Sequence, residues 1–134
     1  MSRQGILRLQ KEYKTLLKDF NGQIDSHPEG LITKDNFIAA PDPKNIFVWY
    51  FVIFGLDGPF KGGFYMGQLG FPDNFPWSPP YIKMLTPNGK MMPNVKQCLT
   101  ISDHHPETWD PIWTNRSLVI GVISFLLSKD DWNG

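Results

Sequence analysis

Four prolines fall within ten residues near the middle of the chain, between Phe71 and Pro80. Each proline fixes its own φ angle and biases the residue before it toward extended backbone. The block is therefore predicted to be a stiff, exposed loop, and Phe75-Pro76 is a candidate for a cis peptide bond. Trp77 has two interpretations, because an indole can fill a core or offer a large surface to a partner.

Apolar segments of strand length lie on both sides of this block. We predict four strands, at Leu31–Ala40, Ile46–Gly55, Phe64–Phe71 and Tyr81–Leu85. The connections between them are short and rich in proline and glycine. Short connections favour strands that pair with their neighbours in sequence, so the sequence predicts an antiparallel meander.

Two helices are predicted to flank the sheet. From Ser2 to Phe20 apolar residues recur at helical spacing, and Asn21-Gly22 is predicted to end this helix. A run that is apolar nearly all round, Leu118–Leu127, is typical of a buried helix, with Ser117 as its predicted N-cap. One helix, a four-stranded meander and a later helix make an α+β domain.

The composition indicates one domain over residues 1–134, since 41% of the residues are apolar and can build a single core. A formal net charge of zero and the absence of a basic run argue against nucleic acid as the main partner. One cysteine excludes an intrachain disulfide and favours a reducing compartment. With neither a signal-peptide pattern nor an apolar stretch of membrane length, the chain as given is expected to be cytoplasmic.

The single cysteine, Cys98, lies between two irregular segments. Before it comes the predicted tight turn Thr86-Pro87-Asn88-Gly89, and after it the turn Trp109-Asp110-Pro111. A lone cysteine is more often inert packing than a nucleophile, but one between two loops is accessible to solvent. The Asn88 amide can donate hydrogen bonds without charge, either to a developing oxyanion or to its own loop.

Together these residues resemble the catalytic domain of ubiquitin-conjugating enzymes. Five motifs of that family occur in order, namely the block Phe71–Pro80, Pro87-Asn88, Cys98-Leu99, Trp109-Asp110-Pro111 and the apolar run from Leu118. Thr86-Pro87-Asn88 replaces the usual His-Pro-Asn, the cysteine follows ten residues after Asn88, and the segment from Cys98 to Trp109 is longer. Those departures are similar to the yeast Ubc-six-like, tail-anchored branch of the endoplasmic reticulum.

The resemblance implies an acyltransferase that needs no metal and no other cofactor. Cys98 would accept ubiquitin from the activating enzyme as a thioester and pass it to a lysine or hydroxyl, usually with a ligase of the RING type. Asn88 would stabilise the oxyanion or hold its loop. Asp103, the carboxylate nearest Cys98 in sequence on the polar side, is the candidate for orienting or deprotonating the acceptor.

Two partner surfaces are also implied. In the family the basic face of the first helix meets the activating enzyme, which assigns Arg8 and Lys11 to that contact; an ordinary solvated face is the alternative. The aromatic of the proline block and the Trp-x-Pro loop meet ligases, which assigns Trp77, Pro111 and Ile112. The branch further implies a role in endoplasmic-reticulum-associated degradation, with truncated C-terminal helices and a membrane anchor absent from this sequence.

Other interpretations remain open from the sequence. A ubiquitin-conjugating-like binding module keeps the fold without the thioester, and a conjugating enzyme for a ubiquitin-like modifier keeps the chemistry. Metal ligation or thiol hydrolysis by Cys98 with Asp103, His104 and His105 is a poorer match, because adjacent histidine side chains usually diverge and a structural zinc site needs four ligands.

Overall fold

A computed structural model describes residues 3–26, 36–89, 93–96 and 109–128, with the backbone alone for residues 19–26. Its elements are helix α1 (Arg3–Ser26), strands β1 (Phe37–Asp42), β2 (Asn45–Ile53), β3 (Tyr65–Gly70) and β4 (Tyr81–Met84), and helix α2 (Asn115–Leu127). The strands lie in the order β1-β2-β3-β4, and each pair is antiparallel. The predicted α+β fold with a four-stranded meander is confirmed.

The sheet has one buried face and one outer face. Strand β2 shows this most clearly, because its buried residues alternate with partly exposed ones. On the buried face the four strands contribute Phe37, Ala39, Phe47, Trp49, Phe51, Ile53, Leu69, Ile82 and Met84. This two-residue period is the one expected of strands that are solvated on one side only.

Both helices add to the same core. Helix α1 contributes Leu9 and Leu16, which recur at helical spacing, and α2 contributes Leu118, Val119, Val122 and Leu126. Burying one such aliphatic side chain stabilises the fold by about 1.5–3 kcal/mol. One contiguous core therefore joins both helices to the sheet.

Where they are described, the strand ends shift by at most two residues from the predictions, and β1 for example ends at Asp42 and not at Ala40. Three larger details also differ. Helix α1 continues to Ser26 and does not end at Asn21-Gly22; an interior glycine costs only about 1 kcal/mol relative to alanine, which weakens a helix without stopping it. Helix α2 is capped by Thr114 and not by Ser117. Thr114 has extended backbone, and its hydroxyl accepts a hydrogen bond of 3.1 Å from the Ser117 backbone N–H.

The third difference concerns how deeply α2 is buried. Its apolar residues surround the helix, yet Ile120 and Leu127 remain 39% and 51% exposed. The burial predicted for the whole run therefore applies to the face that meets the core. Within the described parts of the chain, no helix is both long enough and apolar enough to cross a membrane.

Candidate functional site

The proline-rich block is half buried, so the prediction of an exposed loop is wrong for much of it. Phe75 is 1% exposed, and Pro76, Pro79 and Pro80 are also buried. The Phe75-Pro76 bond is cis, as the sequence suggested. The physical reason for the burial is aromatic packing, since the Phe75 ring lies 4.6 Å from the ring of Phe71 in an edge-to-face arrangement.

The loop before α2 packs against this block. The Trp109 indole N–H donates a 2.9 Å hydrogen bond to the backbone carbonyl of Pro76. Its ring also lies 6.2 Å from Phe75 and 5.7 Å from Trp113. These contacts fix two segments together that are about thirty residues apart in sequence.

Next to this contact between the proline-rich block and the loop before α2, two large apolar side chains face solvent. Trp77 is 62% exposed and Ile112 is 77% exposed, while Pro111 is half-buried. The core-filling interpretation of Trp77 is therefore wrong. Trp77 directly follows the carbonyl that Trp109 binds, so the predicted ligase residues border one region of the surface. Exposed apolar side chains grouped in this way are typical of an interaction site.

Arg8 is engaged inside the fold, unlike the solvated cation that its helical position predicts. Its Nε lies 3.2 Å from the carboxylate of Glu12, one turn further along α1. A second guanidinium nitrogen donates a 2.9 Å hydrogen bond to the backbone carbonyl of Trp113, and the group lies 5.8 Å from the ring centroid of Phe75. Arg8 thus ties α1 to the loop before α2.

Lys11, in contrast, is exposed on the same helix. It borders a groove of about 360 Å³ between α1 and the loop, lined by Arg8, Lys11, Glu12, Thr15, Ile112 and Thr114. The structure therefore brings Arg8 and Lys11, predicted to meet the activating enzyme, to the same groove as Ile112, one of the three residues predicted to meet a ligase. This convergence could not be predicted from the sequence, because Lys11 and Ile112 are about a hundred residues apart.

Asn88 lies in the predicted turn beyond β4. Its side-chain Nδ2 donates a 3.2 Å hydrogen bond to the backbone carbonyl of Thr86, and Gly89 adopts a φ angle of +78°. The turn is confirmed, since a left-handed glycine after asparagine is a typical turn signal.

Asn94 was not among the residues predicted from the sequence to be functional. It belongs to a second Pro-Asn pair, Pro93-Asn94, which lies closer to Cys98 in sequence than Pro87-Asn88 does. Its φ angle is +64°, and its backbone N–H donates a 2.7 Å hydrogen bond to the Met84 carbonyl at the end of β4. The repetition of Pro-Asn is the signal that could have identified it.

The comparison with protein families decides the identity of the fold. The family model described as "Ubiquitin-conjugating enzyme" matches residues 8–133. This chain belongs to the ubiquitin-conjugating enzyme family. The match contains every motif on which the resemblance was based, from the proline block to α2.

Curated relatives carry the same family name. The chain is 40% identical over 130 residues to "Ubiquitin-conjugating enzyme E2 34" of Arabidopsis thaliana, covering 96% of this chain and 49% of the relative. It is also 40% identical over 130 residues to "Ubiquitin-conjugating enzyme E2 6" of Eremothecium gossypii, covering 96% and 48%. The chain thus spans about half the length of these relatives.

Solved structures agree on the fold. Human ubiquitin-conjugating enzyme E2 G1 superposes with a TM-score of 0.70 at 26% identity, covering 92% of this chain and 94% of that one. Pex4p of H. polymorpha, solved in complex with the soluble domain of Pex22p, gives a TM-score of 0.74 at 21% identity, covering 94% and 80%. At 21% identity, the similarity to Pex4p supports the fold alone.

Several family positions fall beyond the residues that the structure describes. Cys98 and Asp103, the predicted nucleophile and acceptor-orienting group, lie outside them, as do His104 and His105. Among the residues described, no group of three or more histidine, cysteine or acidic side chains could hold a metal ion.

Proposed function

We propose that this chain is a ubiquitin-conjugating enzyme that carries ubiquitin on Cys98. The observation that carries the proposal is that the match of the ubiquitin-conjugating family model to residues 8–133 includes Cys98, the only cysteine in the chain. A covalent acyl carrier needs a nucleophile, and the family's chemistry is that of a thiol. A catalytically silent binding module of the same fold would lack that cysteine, so its presence favours the enzyme.

Two acyl transfers make up the proposed reaction. In the first, the Cys98 thiolate attacks the thioester carbonyl of ubiquitin on the activating enzyme, and the activating enzyme's cysteine leaves as a thiolate. In the second, an acceptor amine or hydroxyl attacks the Cys98 thioester, Cys98 leaves as a thiolate, and the acceptor gives up one proton. Asp103 is proposed to orient the acceptor or take that proton. No metal and no organic cofactor takes part in either transfer.

Asn88 is proposed to act by holding its loop. The hydrogen bond from Nδ2 to the Thr86 carbonyl supports this role, because it uses one of the two amide protons within the turn itself. In the alternative role the Asn88 amide donates to the oxyanion. That role predicts that Asn88→Ala leaves the free energy of unfolding unaltered.

The groove between α1 and the loop before α2 is proposed as the partner site. Lys11 supports a contact with the activating enzyme, because it is an exposed cation on the groove's rim. Trp77, Pro111 and Ile112 are proposed to bind a ligase of the RING type. Since Lys11 and Ile112 line the same groove, the two partners are proposed to compete. Arg8 remains a predicted activating-enzyme contact, although its hydrogen bond to the Trp113 carbonyl supports a role in shaping the groove.

The cellular setting is proposed from the relatives. Several bear the name "Ubiquitin-conjugating enzyme E2 6", the branch that the sequence resembles. We propose that the full-length protein works in endoplasmic-reticulum-associated degradation, anchored on the cytosolic face of that membrane. Microscopy of the tagged full-length protein checks the location, and a diffuse cytosolic signal would contradict it.

A loading assay tests the function. The chain is incubated with ubiquitin, activating enzyme and ATP and run on gels with and without reductant, beside Cys98→Ser and Cys98→Ala. We expect one added ubiquitin that reductant removes from the wild type, a reductant-stable adduct on Cys98→Ser and none on Cys98→Ala. A folded wild type that stays unmodified would refute the proposal. Loading with another modifier would instead support a conjugating enzyme for a ubiquitin-like modifier.

A further inference from the structure

Arg8 contacts both segments that carry the exposed apolar side chains of the proposed ligase site. Its guanidinium lies 5.8 Å from the ring centroid of Phe75, which comes two residues before Trp77. One of its nitrogens donates a 2.9 Å hydrogen bond to the carbonyl of Trp113, the residue after Ile112. A single side chain of α1 therefore touches the chain beside each half of that site.

Ile112 lies in a tight turn that begins at Asp110. The Asp110 carboxylate accepts a 3.0 Å hydrogen bond from the Ile112 N–H, and the Asp110 carbonyl accepts another of 3.0 Å from the Trp113 N–H. The Ile112 side chain is 77% exposed, so it adds little packing that could hold the turn. The position of Ile112 therefore depends on the contacts that hold the two ends of the turn.

Each end of the turn is fixed to a different element. Before the turn, the Trp109 indole N–H donates a 2.9 Å hydrogen bond to the Pro76 carbonyl of the proline-rich block. After it, the Trp113 carbonyl precedes Thr114, the N-cap of α2, and so lies outside the hydrogen-bond pattern of that helix. A partly buried carbonyl in such a place needs another donor, and Arg8 of α1 supplies it.

Glu12 directs the Arg8 guanidinium toward that carbonyl. Its carboxylate lies 3.2 Å from Nε of Arg8, and Glu12 is only 7% exposed. A buried carboxylate is costly without a cation beside it, so the pair holds the guanidinium in place. Because the guanidinium presents its donors as a rigid planar fork, fixing Nε also fixes the direction of the nitrogen that binds Trp113.

We propose that Arg8 is a positioning residue for ligase binding, which sets the placement of Ile112 relative to Trp77. This inference rests on the proposed function of Trp77, Pro111 and Ile112 as the ligase site. Two exposed side chains bind one partner only when their spacing matches it, and a displaced turn must first return to the competent position. Arg8 holds the turn in that position before the ligase arrives.

The expected size of the effect follows from the bond to the Trp113 carbonyl. A hydrogen bond from a cation shifts a local equilibrium by about tenfold or more. Losing it lowers the competent fraction of the turn, so the ligase concentration that gives half-maximal discharge rises, by roughly 2- to 10-fold. The rate at saturating ligase stays constant, because enough ligase returns every turn to the competent position.

Three variants isolate this bond. The pair variant, Arg8→Met with Glu12→Leu, replaces the whole ion pair by apolar side chains, so that no unpaired carboxylate stays buried and the chain folds. Arg8→Lys keeps the cation but carries its donors on one nitrogen, so it reproduces the charge without the fork. Lys14→Gln is the matched control, since Lys14 is an exposed cation on the same helix.

Ligase-stimulated discharge gives the first readout. Each variant is loaded with ubiquitin to completion, the activating enzyme is quenched, and discharge to free lysine is followed during titration with a RING domain that stimulates the wild type. Complete loading keeps any contact of Arg8 with the activating enzyme out of the measurement. We expect the half-saturating RING concentration to rise roughly 2- to 10-fold in the pair variant and in Arg8→Lys, at an unchanged saturated rate. Lys14→Gln should match the wild type.

Hydrogen exchange tests the positioning role without ubiquitin or ligase. The Ile112 and Trp113 amides are bonded to Asp110 within the turn, so they exchange when the turn opens. We expect both to exchange roughly tenfold faster in the pair variant and in Arg8→Lys than in the wild type. The Leu85 amide, which donates to the Met66 carbonyl of β3, should exchange at the wild-type rate in every variant.

The two readouts distinguish this proposal from the proposed ligase site. If no RING domain stimulates the wild type, the proposed ligase function is refuted, while the exchange rates still decide whether Arg8 positions the turn. Wild-type exchange or wild-type ligase dependence in the pair variant would overturn the positioning role. So would an Arg8→Lys protein that behaves as the wild type, because then the charge and not the fork is needed. An equal acceleration at Leu85 would show a general loss of stability and would also overturn it.

Discussion

Asn115 stands out among the described buried residues because its amide has no hydrogen-bond partner among them. It begins α2 and is 1% exposed, and neither its Nδ2 nor its Oδ1 finds a hydrogen bond within the described residues. Burying an amide unpaired costs about 1–3 kcal/mol. Nearly all the other buried side chains of the fold are apolar, so this residue is where stability is most easily gained.

We predict that Asn115→Leu stabilises the protein, raising the melting temperature by roughly 3–5 °C, the shift expected for about 1 kcal/mol in a domain of this size. Asn74→Leu is the matched control, because Asn74 is exposed and its Nδ2 donates a 2.8 Å hydrogen bond to Ser78. That change should give no gain. A lower melting temperature for Asn115→Leu would show that the buried amide has a stabilising partner.

The two asparagines near Cys98 in sequence make contrasting predictions. Asn88→Ala removes the hydrogen bond to the Thr86 carbonyl, so it should lower the free energy of unfolding by about 0.5–1.5 kcal/mol as well as slowing transfer to an acceptor. Asn94→Gly removes the second amide while tolerating the positive φ angle of that residue, and should leave both unchanged. Chemical denaturation and single-turnover discharge measure the two effects.

Two results would change this assignment. Slower transfer by Asn88→Ala with unaltered stability would favour the oxyanion role. A loss of transfer in Asn94→Gly would move the catalytic amide to residue 94.

At this scale the sequence predicts some properties and misses others. The turn at Asn88-Gly89 and the cis bond before Pro76 follow from local chemistry, which neighbouring residues determine. The packing of Arg8 against Trp113 does not, because a helical wheel shows direction relative to an axis and cannot show which distant loop covers a residue. The sequence therefore predicts a solvated Arg8, whereas in the fold Arg8 binds the Trp113 carbonyl.

Among the elements, the proline block and the loop before α2 behave as one unit. The Trp109 hydrogen bond to Pro76 and the edge-to-face rings of Phe71 and Phe75 join them. Arg8 then binds this unit to α1. Buried aromatics therefore hold this unit together, while Trp77 and Ile112 are largely exposed and lie outside the core.

The two partner contacts can be weakened separately, because Lys11 lines the groove and Trp77 does not. Lys11→Glu reverses an exposed charge on the rim, so it should slow loading by the activating enzyme, more at low salt than at high salt. Trp77→Ala should load normally but discharge more slowly with a RING-type ligase, by roughly tenfold if the indole is a hot spot. Steady-state loading and ligase-stimulated discharge are the two measurements.

Phe64→Ala provides the matched control, because Phe64 is 70% exposed and lies in the connection before β3, in a different loop. All three variants should melt as the wild type does, since the three side chains are largely exposed. If Trp77→Ala unfolds, Trp77 belongs to the fold and not to a partner surface. Normal discharge by a folded Trp77→Ala would remove it from the ligase site.

In the whole molecule, the order of the strands was predictable because short connections leave consecutive strands little choice but to pair. The bounds of the elements were less predictable than their order. Helix α1, for example, continues past Asn21-Gly22 to Ser26. The groove and the contact of Arg8 with the Trp113 carbonyl could not be predicted at all, because each depends on residues that are distant in sequence.

The central claim is that one thiol carries ubiquitin, and intact-mass measurement tests it most directly. The wild-type chain is loaded with ubiquitin, activating enzyme and ATP and then weighed before and after treatment with a reducing thiol. We predict a species heavier by one ubiquitin less one water, which returns to the mass of the free chain on treatment. An adduct that survives the thiol, or a folded chain that gains no mass beside an active control enzyme, would contradict the account.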